Sequence, residues 1–137
     1  MERKIFIKGG TVYDGAGGPG VNSDVYIEGD TIKAVGEEAS AMARADDPAL
    51  SSIDAAGKMV CPGFIDMHAH SDYKIAVNGS MEAKLRQGVT TTVVGSCGFS
   101  GAPMNDRLRR DFKGYLSGIF GTECRFEWES MAGYIEH

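Results

Sequence analysis

The sequence predicts an α/β chain in two parts: a β-rich stretch over residues 1–58, then alternating strands and helices over residues 59–137. Three observations carry this prediction. Apolar and polar residues in the first third alternate at the period of a half-buried strand. Two later segments, MVCPGFIDMHAHSD from Met59 and VTTTVVGSC from Val89, read as strands with a short helical pattern between them. The stretch Asp106–Phe120 places Leu108, Phe112, Tyr115, Leu116 and Ile119 at helical spacing. Strand, helix, strand, helix after Met59 is the pattern of a parallel sheet with crossover helices.

Taken in order, Lys4–Tyr13 is β-prone and runs into the Gly-rich loop Asp14–Asn22. The loop DGAGGPG has no Lys-Ser/Thr after it and opens no helix, so it reads as a flexible turn and not as a phosphate cradle. Asp24–Val35 alternates through Val25, Ile27, Ile32 and Val35 and breaks at Gly29-Asp30, the pattern of a tight hairpin. Glu37–Ser52, rich in Ala, Asp and Ser, fits either a short helix or a loose excursion. Ile53–Val60 is a third β segment, turned at Ala56-Gly57-Lys58. Residues 1–58 thus amount to half of a small β-sandwich at most.

From Met59 the chain is expected to form a buried strand led in by Pro62-Gly63, then a polar loop over Ser71–Gly79. A short helix follows, with Ser80 as N-cap and Gly88 where a C′ glycine belongs. The β-branched run from Val89 is a strand, Gly98–Asn105 a loop and Asp106–Phe120 an amphipathic helix. Another helix is expected to begin near Trp128. There is no internal repeat beyond this alternation.

Composition narrows the function. The formal net charge of −5 argues against a nucleic-acid or anionic-membrane surface, which needs clustered Lys and Arg. The local basic group Arg107, Arg109 and Arg110 reads as a solvated helix face. The N-terminal apolar run is too short for a secretory signal, and no stretch approaches the roughly 20 apolar residues of a membrane helix. Three widely spaced cysteines, Cys61, Cys97 and Cys124, do not make a disulfide framework, and a reducing cytoplasm is the expected compartment.

The feature with the most chemistry is Asp66-Met67-His68-Ala69-His70. Strand side chains alternate faces, so His68 and His70 are expected on one face with Asp66 beneath them. Two imidazoles at i and i+2 at a strand end make a two-point metal clamp, and imidazole suits zinc. The other reading is two polar residues at a strand-to-loop junction. Cys97 ends the next expected strand, and if the strands are neighbours it joins the pair as a mixed N/S zinc environment. Alone, it reads as a small half-buried hydrophobe. Gly95 and Gly98 flank it and would let backbone or ligand approach. Cys61 precedes Pro62 and is expected to pack; Cys124 falls in a loop, and Asp72 and Glu82 read as polar loop and helix-start residues. No nucleophile elbow, dinucleotide fingerprint or HExxH motif is present.

VCPGFIDMHAHSD resembles the first barrel strand of the amidohydrolase superfamily, where a PGxIDxHxH run carries two metal-ligating histidines. QGVTTTVVGSCGFS is similar to the second barrel strand of the N-acyl-D-amino-acid deacylases, the D-aminoacylases, in which a Cys replaces a carboxylated Lys as metal ligand. The opening IFIKGGTVYDGAGGPG and the closing FEWESMAGYIEH resemble the same family, so the similarity runs along nearly the whole chain. The resemblance implies a TIM barrel with a small β-sandwich built from both chain termini. It implies zinc held by His68, His70 and Cys97, and hydrolysis of an N-acyl-D-amino acid to a carboxylate and a free D-amino acid. The family's further histidine ligands and catalytic Asp fall beyond His137, so no catalytic residue is assigned within this chain. A (β/α)₈ barrel takes about 250 residues. The stretch from Met59 holds two βα units, the expected start of a fold that a C-terminal remainder or another chain completes. The rival readings are a dihydroorotase-like or hydantoinase-like cyclic amidohydrolase, and a non-catalytic module that pairs with a larger subunit.

Overall fold

The computed structural model describes residues 2–44, 46–77, 79–120 and 126–137, without the side chains of residues 116, 117, 119 and 120. Cys124, and the side chains expected from Leu116 and Ile119 on the apolar helix face, lie outside what is described. The chain divides into two compact units, Met1–Pro62 and Gly63–His137. Among the described residues no helix is long and apolar enough to cross a membrane.

The first unit is a mixed five-stranded sheet beside one helix. Its elements are β1 (Lys4–Val12), β2 (Val21–Glu28), β3 (Thr31–Val35), α1 (Glu37–Met42), β4 (Leu50–Asp54) and β5 (Met59–Val60). The order is β3-β2-β1-β4, with β5 also on β1. β1, β2 and β3 are antiparallel neighbours, whereas β4 and β5 run parallel to β1. The expected hairpin is present, and Gly29 adopts φ 62° in its turn, a conformation open to glycine at little cost. Tyr26, Ala34 and Ala39 form the small core, with Phe6, Ala43 and Leu50 packed against them.

Two anchors hold this sheet to its connections. The β1–β2 register slips between Ile7 and Gly10, and there the Asp24 carboxylate accepts the Gly9 N–H at 2.7 Å and the hydroxyl of Ser40 from α1. Lys4 pairs with Asp47 at 2.7 Å, and Asp47 also accepts the Ala49 N–H, which leads the chain into β4. The β segment expected over Ile53–Val60 therefore begins earlier, at Leu50, where Lys4 of β1 provides a register partner. It breaks at Gly57 (φ 73°) into two strands.

The second unit contains β6 (Phe64–Ala69), α2 (Ser71–Ile75), α3 (Glu82–Leu85), β7 (Val89–Val94), α4 (Asp106–Phe120) and α5 (Met131–Glu136). β6 and β7 pair in parallel with helices between them in sequence, as the pattern predicted. Four expectations are corrected. The run from Met59 is not one strand: Met59 and Val60 pair with Thr11 and Val12 of β1, and a new strand starts at Phe64 after Pro62, which has no N–H for a ladder. β6 is not buried, because the two-stranded sheet leaves Phe64, Ile65 and Met67 57–66% exposed. The polar loop over Ser71–Gly79 begins instead with α2, because Tyr73, 2% exposed, is drawn into the core. α3 is preceded by Met81 at φ 43° with no side-chain cap, so Ser80 is not its N-cap.

Gly88 adopts φ 78° after α3, and its N–H returns to the Leu85 carbonyl, as a terminating glycine should. The core of this unit is aromatic: Tyr73, Ala102, Met104, Phe126 and Trp128, with Leu108, Phe112 and Tyr134 around them. The helix expected near Trp128 starts at Met131, with Ser130 Oγ accepting the Gly133 N–H at 3.1 Å.

Candidate metal centre

Parallel pairing of β6 with β7, Ala69 opposite Val94, brings the chain out of both strands at the same sheet edge. His68 is on β6 and His70 lies one residue past its end, before α2. The period of two brings the rings together, with centroids 5.6 Å apart. Beyond β7 the chain turns at Gly95 (φ 78°) and Gly98 (φ 84°), and the Gly98 N–H closes the turn on the Gly95 carbonyl at 3.1 Å. Cys97 therefore sits in this turn and not on the strand itself. The two glycines permit a bend that β-branched or bulky residues resist.

The turn sets Cys97 Sγ 3.5 Å from His70 Nε2, and one donor atom from each of His68, His70 and Cys97 lies within 4.8 Å of the others. Zinc bonds of about 2.1 Å to nitrogen and about 2.3 Å to sulfur at a tetrahedral angle put the two donors about 3.6 Å apart. The His70–Cys97 spacing fits this, and the chemistry of the donor set suits zinc. His68 and Cys97 are exposed and His70 is half-buried, which leaves the cluster open on one side. The His70 ring is held between Tyr73, stacked at 6.3 Å, and Phe99, edge-on at 6.1 Å.

Two carboxylates lie close by in sequence and differ in environment. Asp66 pairs with Lys84 of α3 and accepts the His68 N–H at 3.2 Å, and the Lys84 ammonium holds its carboxyl below the ordinary range. Asp72, read from the sequence as a loop residue, is 3% exposed instead. Burial pushes its carboxyl above the ordinary range, although Oδ2 accepts the Gly101 N–H at 2.7 Å. The Gly101 carbonyl accepts from Trp128 Nε1 at 2.6 Å, and the Asp72 carbonyl accepts from the Tyr134 hydroxyl at 3.0 Å. The one signal for Asp72 in the sequence is its position two residues beyond His70; its partner lies 29 residues away.

The remaining candidates separate from this cluster. Cys61 is exposed and belongs to the first unit, so it does not pack as expected. His137 lies against the Trp128 ring at 4.9 Å. Of the basic group, Arg107 forms an exposed i,i+4 pair with Asp111, as a solvated face should. Arg109 departs from that reading: its guanidinium reaches the segment entering α5 and donates to the carbonyls of Phe126 at 2.8 Å and Trp128 at 3.0 Å.

Comparison with known proteins shows the family. Residues 52–136 match the model of the amidohydrolase family. An N-acyl-D-glutamate deacylase of Alcaligenes xylosoxydans xylosoxydans is 46% identical over 105 residues, covering 75% of this chain and 20% of that protein. A solved D-aminoacylase structure superposes with a TM-score of 0.75 at 38% identity, over 96% of this chain and 26% of that one. The N-acyl-D-glutamate deacylase of Bordetella bronchiseptica, solved with zinc and a phosphonate inhibitor, gives 0.66 at 37% identity, over 80% and 22%. The chain spans about a fifth of the length of the curated relatives it matches. With a match that takes in β6, β7 and all three clustered donors, the chain belongs to the amidohydrolase family.

Proposed function

We propose that this chain supplies His68, His70 and Cys97 to the zinc site of an enzyme that hydrolyses N-acyl-D-amino acids. The observation that carries the proposal is the spacing of those three donors, with Cys97 Sγ 3.5 Å from His70 Nε2. The similarity to N-acyl-D-glutamate deacylase and D-aminoacylase supports the substrate class. Residues 63–137 then form the first two βα units of a TIM barrel, and residues 1–62 part of a small β-sandwich. The rest of the active site, including the base that accepts the proton from water, comes from residues outside these 137.

The chemistry available with zinc bound is polarisation of the amide carbonyl and activation of water near neutral pH. The residues of this chain prepare for it. His68 and His70 would hold the metal through ring nitrogens and Cys97 through its sulfur. Tyr73 and Phe99 limit rotation of the His70 ring and so keep Nε2 aimed at the cluster. The exposed side of the cluster gives the scissile amide and water a path in. Cleavage adds water across the C–N bond, leaving a carboxylate and a free amino group.

Elemental analysis of the purified, dialysed chain tests the ligand set. Zinc is expected to co-purify, to fall on His68→Ala and on Cys97→Ala, and to persist in Cys61→Ala. Unchanged zinc in both of the first two variants would reject the assignment.

A further inference from the structure

The His70 and Cys97 donors reach one another from two different segments, and the second of these is intrinsically loose. Cys97 lies in a loop with glycine at 95, 98 and 101, the residue type with the widest backbone freedom. Among the described residues its internal backbone closure is the Gly98-to-Gly95 hydrogen bond, which shapes the turn; before it Val94 pairs with Ala69 of β6, and after Cys97 the Phe99 ring lies against His70. A hydrogen-bonded tie on the far side of the turn comes four residues after Cys97, where the Gly101 N–H donates to the buried Asp72 carboxylate at 2.7 Å. Asp72 in turn lies two residues after His70, on α2.

We propose that Asp72 is a positioning residue: its carboxylate joins the His70 segment to the Cys97 turn and thereby sets the distance between the metal donors. This rests on the metal-site reading above. The surroundings suit such a task. Trp128 Nε1 holds the carbonyl of the same Gly101, and the Tyr134 hydroxyl holds the Asp72 carbonyl, so both ends of the link are fixed against the aromatic core. A Cβ on Gly101 would stand 3.4 Å from Asp72 Oδ2, so the backbone approaches the carboxylate closely. Without the link, His68 and His70 stay paired by the strand, while the Cys97 turn is held by Val94 before it and by the Phe99 ring contact, and its distance to the histidines is less closely set.

Cobalt(II) reports this directly, because a cysteine thiolate bound to cobalt gives a near-ultraviolet charge-transfer band that imidazole ligands do not. The wild-type chain titrated with cobalt(II) is expected to show the band. Asp72→Ala is expected to bind cobalt about tenfold more weakly, with less charge-transfer intensity per bound ion. Asp72→Asn, whose amide oxygen can still accept the Gly101 N–H, is expected to keep the band and stay within about threefold in affinity. A residue that merely supported the fold would lower stability and leave the band per bound cobalt unchanged, so circular dichroism and Trp128 fluorescence are followed alongside. If Asp72→Ala does not fold, Asp72→Ser is read in the same way. A wild-type chain without the band overturns the metal-site reading and this proposal with it. A wild-type band that survives intact in the folded Ala or Ser variant, or is lost equally in Asp72→Asn, overturns the positioning role alone.

Discussion

Trp128 is 6% exposed and packs its ring against Phe126, Tyr134 and His137, while its N–H meets the Gly101 carbonyl at 2.6 Å. The two contributions can be separated. Trp128→Phe keeps most of the packing and leaves a buried carbonyl without its donor, a loss of about 1–3 kcal/mol. Trp128→Ala also opens a cavity and is expected to cost about 3–5 kcal/mol. Urea unfolding followed by far-ultraviolet circular dichroism checks both values; equal effects would mean the hydrogen bond contributes nothing. The residue scale is also where the sequence was least informative. The convergence of His68, His70 and Cys97 was legible, because strand periodicity pairs the histidines and the β-branched run after Gly88 brings Cys97 to the same edge once the two strands are neighbours. Asp72 was not, because its burial depends on Tyr73 entering an aromatic core and on a glycine 29 residues later. Nor was Arg109, whose carbonyl partners lie 17 and 19 residues along the chain.

Among the elements, β1 and its neighbours depend on carboxylates whose charge the fold favours. The Ser40 hydroxyl and Gly9 N–H keep the Asp24 carboxyl below the ordinary range, and the Lys4 ammonium with the Ala49 N–H does the same for Asp47. Because the folded values lie below the unfolded ones, the stability they add is present above about pH 4 and is lost as pH falls through the folded values. Asp24→Asn and Asp47→Asn are therefore expected to destabilise the sheet at pH 6 and to converge with the wild type under strong acid. Thermal melts at the two pH values show it; a gap that persists in acid would contradict the linkage. At the start of β6, Gly63 meets Thr90 of β7 so closely that an added Cβ would stand 2.1 Å from Thr90 Oγ1. Gly63→Ala is expected to lower stability by about 1–3 kcal/mol by overpacking, and Thr90→Gly to relieve it. Elements defined by local pattern, such as the hairpin turning at Gly29, were readable from sequence. The assignment of Met59 and Val60 to the first sheet was not, since their partners Thr11 and Val12 are remote and two residues carry little periodicity.

At the scale of the whole molecule, β6 presents Phe64, Ile65 and Met67 at 57–66% exposure, and the candidate metal site has three donors among the described residues. On the proposed function, the 137 residues alone are expected to show no turnover of N-acetyl-D-amino acids, since positioned groups beyond the three donors are needed to stabilise the transition state. Co-production with the C-terminal remainder of a related deacylase is expected to give a complex by size exclusion. That complex should hydrolyse N-acyl-D- but not N-acyl-L-amino acids, and a chelator should abolish the activity. Turnover by the chain alone, or two soluble pieces that never associate, would contradict this. The first sheet has a consequence of another kind, in time. β1 obtains β2 from the residues that follow it, but its other edge is filled only by β4 and β5, from residues 50–60. During synthesis at about 5–20 residues per second, the hairpin strands precede their parallel partners by on the order of seconds. For that interval β1 carries an open row of N–H and C=O groups, the kind of edge on which nascent chains associate with one another. Slower translation between Val35 and Leu50 prolongs the interval and also delays Ala39, a member of this unit's core, so the yield of soluble chain is expected to depend on the codons of that segment.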